Sequence, residues 1–212
     1  MDDDSARKLA SGLIKRYSDA HYYLDFRTPV DLVAAAILSA QTRDEVVNRI
    51  TPDLFKKYKT AKDYANANPG ELVGMIRSVS FAGNKAKNII NTFRAIEERH
   101  SGKVPKEMQE LVELPGIGKK TANTILINAY GIVEGIPVDT WVIKLSQRLG
   151  LSLNSNPEKI EDDLKKRIPR QYWGKFGYVL KAHGKAICQK VPYCSKCPVE
   201  GICPKNGVAK RL

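Results

Sequence analysis

The chain has 212 residues, 42% of them hydrophobic, enough for one substantial core or two small ones, and its length demands no more than one or two domains. Its 35 lysines and arginines against 23 aspartates and glutamates give a formal charge of +12, which draws it toward polyanions, nucleic acid first among them. The opening Met1-Asp2-Asp3-Asp4 lacks the cationic start and apolar stretch of a secretory signal, and the apolar run Leu32 to Leu38 is far below the roughly 20 residues of a membrane span, so a cytosolic or nuclear protein with no membrane role is expected.

Strand signals are nearly absent, while helix starts and apolar spacings of three and four recur, so the chain reads as all-α. Thr28-Pro29 with Asp31 is an N-cap, a first-turn proline and an acid matched to the positive helix end, and it predicts a helix through Ala40. Its apolar residues point every way, which predicts burial. From near Pro105, Met108, Leu111 and Val112 share one predicted face; Leu114-Pro115-Gly116-Ile117-Gly118 then leads into a second helical run from about Lys119. Those are two helices joined by a tight glycine turn. Val142, Leu145 and Leu149 predict a helix after Asp139, and Ile160, Leu164 and Ile168 predict another from Asn156-Pro157 to a stop at Pro169.

Gly116 and Gly118 flank one apolar residue, a pattern suited to positive φ and to close approach of the backbone to another molecule. The amides of Gly116, Gly118 and Lys119 then face outward at a helix start, where the dipole favours an anion such as a DNA phosphate. Two capping glycines in an ordinary helix–helix turn are the plainer alternative. Lys119 and Lys120 project about 100° apart on that helix, so one can meet a phosphate while the other meets a pocket. A lysine amine attacks carbon once it has lost its proton; the alternative is that both lysines are solvated phosphate binders. Asp139 stands where the next helix needs an N-cap, and a capping carboxylate can use one oxygen there and keep the other for chemistry.

All four cysteines, Cys188, Cys194, Cys197 and Cys203, fall near the C-terminal end, separated by five, two and five residues. In a reducing compartment this cluster favours a metal site over disulfides. Four thiolates in so short a loop can enclose one [4Fe–4S] cluster. Structural zinc is the rival, although its usual pattern is two short pairs far apart. Lys185, Lys190 and Lys196 interleave with the cysteines, and Arg170 and Lys175 precede them, which predicts a second phosphate-binding surface.

Taken together, Leu114-Pro115-Gly116-Ile117-Gly118-Lys119-Lys120-Thr121-Ala122-Asn123, Val138-Asp139-Thr140 and the four cysteines resemble the endonuclease III family of DNA glycosylases. Ile37-Leu38-Ser39-Ala40-Gln41-Thr42 with Asp44 looks like that family's early helix and loop. The resemblance implies a helix–hairpin–helix protein of two helical domains with the active site in the cleft between them. One domain would be a six-helix, barrel-like body over 25–135; the other, formed by both termini over 1–24 and 136–212, would carry the [4Fe–4S] cluster. Lys120 is implied as the nucleophile and Asp139 as the catalytic aspartate of a bifunctional glycosylase/AP lyase. Such an enzyme flips an oxidised pyrimidine from the duplex, forms a Schiff base with the lysine and nicks the strand by β-elimination. Gln41, and Phe81 in the Ser80-Phe81-Ala82-Gly83-Asn84-Lys85 stretch, are implied as the side chains that fill the hole left in the base stack. The implied partner is double-stranded DNA with a damaged base or abasic site, met by a monomer in the cytoplasm, at the nucleoid, of a prokaryote or in a eukaryotic nucleus.

The sequence departs from the family pattern at three points. Five residues separate Cys188 from Cys194 where six are usual, Trp141 stands where histidine is common, and Phe81 where leucine is usual. For Phe81 the alternative is an ordinary core aromatic. His183, in a His-Gly-Lys stretch, is expected as a buried, hydrogen-bonded helix residue. Adenine-excising relatives carry an acid in the early helix where this chain has Ala34-Ala35-Ala36-Ile37, which argues against adenine. A uracil or thymine mismatch glycosylase of the same fold, and a non-catalytic iron–sulfur DNA-binding protein, are the alternative readings.

Overall fold

The computed structural model describes residues 1–212, and all its regular elements are helical. In chain order the α-helices are α1 (Asp3–Arg16), α2 (Pro29–Ser39), α3 (Asp44–Lys57), α4 (Ala61–Ala65), α5 (Pro69–Met75), α6 (Ala82–His100), α7 (Met108–Val112), α8 (Lys119–Tyr130), α9 (Thr140–Arg148), α10 (Pro157–Arg167) and α11 (Trp173–Ala186), with short 3-10 helices at Arg170–Tyr172 and Cys194–Lys196. The chain divides into two compact units, a central one over Tyr23–Ile132 and a terminal one made of Met1–Tyr22 with Val133–Leu212.

In the central unit the 19-residue α6 is the spine, packing against α2, α4 and α5. Tyr64 stacks on Phe93 of α6 with ring centroids 4.5 Å apart, and Tyr58 stacks on Tyr64 at 4.9 Å, so three aromatics close one end of this core. α2 opens as its sequence predicts. Thr28 Oγ1 accepts from Asp31 N, Asp31 accepts in return from Thr28 N, and every residue from Asp31 to Leu38 is buried. α7 and α8 pack together as the two arms of the glycine hairpin. Here one expectation fails: Leu111 is fully buried but Val112 is 41% exposed. Neighbouring residues on a helix point about 100° apart, and five residues give α7 a face wide enough for only one of them.

The terminal unit has its own core, in which α1 contributes Leu9, Leu13 and Ile14, α9 contributes Val142 and Leu145, α10 Ile160 and Leu164, and α11 Phe176, Val179 and Leu180. Asn156 caps α10 through Glu158 N and Lys159 N, and Lys165, Lys166 and Arg167 occupy its last turn, where the dipole favours cations. α1 also backs the cysteine loop: Gly12 approaches Val199 so closely that a Cβ would lie 3.1 Å from its methyl group.

Candidate active site and cysteine loop

The hairpin turn is built by a division of labour among three residues. Ile117 is buried and anchors the turn; Gly116 and Gly118 on either side are exposed. Gly116 has φ +79 and faces Asn88 of α6, with room for a Cβ at 3.4 Å, so it supplies the left-handed conformation. Gly118 does not. Its φ of −93 is extended, and it serves as the N-cap residue of α8, so the positive φ for which this pattern is suited falls on Gly116 alone. The Pro115 carbonyl accepts a hydrogen bond from Thr92 Oγ1, which ties the turn to α6. Lys119 and Lys120 are the first two residues of α8, and both are exposed.

Asp139 is the N-cap of α9. Its Oδ1 accepts from both Trp141 N and Val142 N at 2.9 Å, so the cap uses one carboxylate oxygen and fixes the orientation of the other. Trp141 lies partly buried against Gly184 of α11, where a Cβ would overlap the indole ring, and Lys144 Nζ sits 5.0 Å from that ring's centroid. Lys120 belongs to the central unit and Asp139 to the terminal one.

Two side chains of the central unit share an unusual backbone. Gln41, between α2 and α3, has φ 51, and Phe81, immediately before α6, has φ 57. Both are non-glycine residues in the left-handed region, which costs about 1–2 kcal/mol each. Phe81 is 65% exposed, so it is no core aromatic.

The four cysteines are in no disulfide and line one cavity together with Arg148 and His183. No three His, Cys, Asp or Glu side chains converge on a point that would hold a single metal ion. Burial pushes the Cys197 and Cys203 thiols up, and the charges of the neighbouring cysteines add to the effect. Arg148 of α9 pins the loop from below, its guanidinium donating to Cys188 O at 3.3 Å, Gln189 O at 2.5 Å and Lys190 O at 3.2 Å, with Cys188 Sγ at 3.6 Å. Arg148 carries no motif, and nothing in the sequence singled it out. His183 is buried in α11 as expected, with Nε2 3.8 Å from Cys197 Sγ. Lys185, Lys190 and Lys196 are exposed around this loop, Arg170 is exposed and Lys175 partly so.

An all-helical chain with a Gly-Ile-Gly turn between two packed helices, a lysine pair at the start of the second helix and four cysteines lining one cavity has the features of the helix–hairpin–helix class. The family model for HhH-GPD superfamily base excision DNA repair proteins matches residues 34–170. Endonuclease III of Synechocystis sp. is 46% identical over 193 residues, covering 91% of this chain and 88% of the relative; that of Bacillus subtilis is 39% identical, covering 86% and 87%. The fold matches a solved structure of a trapped endonuclease III–DNA covalent intermediate with a TM-score of 0.92 at 35% identity, over 97% of each chain. The chain belongs to the endonuclease III family of DNA glycosylases/AP lyases.

Proposed function

We propose that this protein removes oxidised pyrimidines from duplex DNA and cuts the strand at the resulting abasic site, with Lys120 as the nucleophile. The observation that carries the proposal is the exposed lysine at the second position of α8, directly behind a Gly-Ile-Gly turn whose two glycines are exposed, in a chain of the endonuclease III family. The turn offers backbone amides to a phosphate at a helix N-terminus, a grip indifferent to sequence. Lys119 adds charge to that grip.

With the damaged nucleotide flipped out, neutral Lys120 Nζ bonds to C1′ as the C1′–N bond breaks, and the base leaves with the electron pair and takes up a proton. Loss of a proton from the amine and opening of the sugar ring give the Schiff base. Removal of a C2′ proton then expels the 3′ phosphate, which is the β-elimination, and water releases the lysine. Asp139 stabilises the positive charge that develops on the sugar and takes part in deprotonating Lys120; its cap hydrogen bonds hold the carboxylate still, so this charge needs no reorganisation. Gln41 and Phe81 fill the hole in the stack.

Cys188, Cys194, Cys197 and Cys203 would hold a [4Fe–4S] cluster. Support comes from the four thiols lining one cavity. When bound, the cluster supplies a structural staple, since transfer of a sugar to lysine changes no oxidation state. The lysines around the loop give DNA a second contact. The protein works as a monomer in the cytoplasm, at the nucleoid.

Borohydride trapping on duplexes carrying either an oxidised pyrimidine or a bare abasic site tests the chemistry. Trapping on both, abolished by Lys120→Ala, is expected. Trapping on the abasic site alone would remove the base assignment; trapping on neither would favour a mismatch glycosylase or a non-catalytic binder. Iron and sulfide analysis, with Cys194→Ser as the comparison, tests the cluster.

A further inference from the structure

Lys85 is the one lysine in the core. It is 5% exposed, and burial pulls its pKa below the usual ammonium value. Lysine is almost never buried unless its charge is partnered. Here the ammonium, reaching back from the first turn of α6, donates to Leu38 O at 2.7 Å and to Thr42 Oγ1 at 2.7 Å. Leu38 lies in the last turn of α2, where carbonyls lack helical partners and the dipole favours a cation.

Thr42 Oγ1 is the second half of the device. A hydroxyl has one proton to donate and two lone pairs. This one donates to Ala40 O at 3.4 Å and accepts from both Lys85 Nζ and Ser80 N, the latter at 3.2 Å. Its capacity is filled, and the atoms it gathers come from two loops 38 positions apart. Between Ala40 and Thr42 stands Gln41; next to Ser80 stands Phe81. The Lys85 backbone amide completes the connection by donating to Phe81 O at 3.0 Å. Strained left-handed residues persist only where their surroundings over-determine them, and Lys85 and Thr42 fix the flanks of both.

We infer that Lys85 is a positioning residue that, through Thr42, locks the Gln41 and Phe81 loops into one two-pronged wedge for the gap left by a flipped nucleotide. The inference rests on the reading of Gln41 and Phe81 as inserted side chains. A hydrocarbon of the same length would fill the core without the cost of desolvating an ammonium; what it cannot do is hold two loops at a set separation.

The test uses the full-length protein, iron-loaded as purified, and a duplex with 2-aminopurine opposite a reduced abasic site that cannot be cut. Fluorescence of the aminopurine reports insertion into the stack and needs no chemistry. Lys85→Met and the near-isosteric Thr42→Val, both checked for unchanged iron content and circular dichroism, are each expected to weaken the fluorescence response about tenfold, the scale set by small misplacements of positioned groups. In a Gln41→Ala/Phe81→Ala background the same changes should add less than about twofold, because positions acting through one device are not additive. Equal losses in both backgrounds, or an unchanged response in folded Thr42→Val and Lys85→Met proteins, would overturn the inference. Failure of the glycosylase reading shows separately, as wild-type protein that inserts into this duplex but is never trapped by borohydride.

Discussion

The Tyr17 hydroxyl, at the end of α1, lies 3.1 Å from His183 Nδ1 in α11, a contact across 166 positions of chain. The two rings meet edge to face, their centroids 5.6 Å apart. Burial pushes His183 down to about 4, so the ring is neutral near pH 7, with Nδ1 facing the Tyr17 hydroxyl and Nε2 3.8 Å from Cys197 Sγ. One imidazole therefore joins the first helix, the last helix and the cysteine loop.

Removing the hydroxyl should register as stability. Tyr17→Phe is expected to cost about 1 kcal/mol in urea unfolding, since it strands a buried ring nitrogen. An unchanged unfolding midpoint would show that the contact contributes nothing.

The two hairpin glycines should respond differently to the same methyl group. Gly116→Ala forces a side chain into φ +79 and is expected to cost about 1–2 kcal/mol. Gly118→Ala, extended and with nothing within 4 Å, should stay within about 0.5 kcal/mol of wild type. Thermal unfolding distinguishes them, and equal destabilisation would refute the assignment of φ roles. Weaker DNA binding by the stably folded Gly118→Ala protein would then report a backbone–phosphate contact.

Trp141 and Gly184 form a matched pair. Gly184→Ala is expected to destabilise the terminal unit by about 1–3 kcal/mol through overpacking against the indole. Combining it with Trp141→His, which puts a smaller ring at this position, should recover most of that loss. A double mutant as unstable as the sum of the two singles would mean the residues do not constrain one another.

Asp163 supplies a pH test. It accepts from Ser152 Oγ at 2.6 Å and Asn154 Nδ2 at 2.7 Å, and the Ser152 hydrogen bond, ahead of the other causes, holds its carboxyl below the usual 3.8. A carboxylate with a lowered folded pKa stabilises fully above its unfolded value, and that contribution disappears as pH falls through the folded one. Asp163→Ala should thus cost about 1 kcal/mol at pH 7, with the gap to wild type closing below about pH 3.8. Urea unfolding at stepped pH measures it; a gap constant down to pH 3 would exclude this linkage.

Much of the fold was legible because its signals are local. Thr28 with Asp31, Asn156 before Pro157 and Asp139 before Val142 each announce a helix start within four residues, and each caps as its chemistry requires. Val112 misled because two adjacent apolar residues cannot share the single inward direction of a five-residue helix. Phe81 was ambiguous because an aromatic beside a helix start is equally at home in a core; its exposure is set by the left-handed turn that carries it.

The sequence by itself determined an all-helical chain, the hairpin with its lysine pair, the capping aspartate and the four-cysteine loop. Each is encoded by residues a few positions apart, where backbone geometry alone makes them neighbours. Only the tertiary structure decided that Lys85 joins the loops of Gln41 and Phe81, that Arg148 pins the cysteine loop, and that Tyr17 meets His183. Those contacts close over tens to more than a hundred positions, and which partners meet there depends on how whole helices pack rather than on any local pattern.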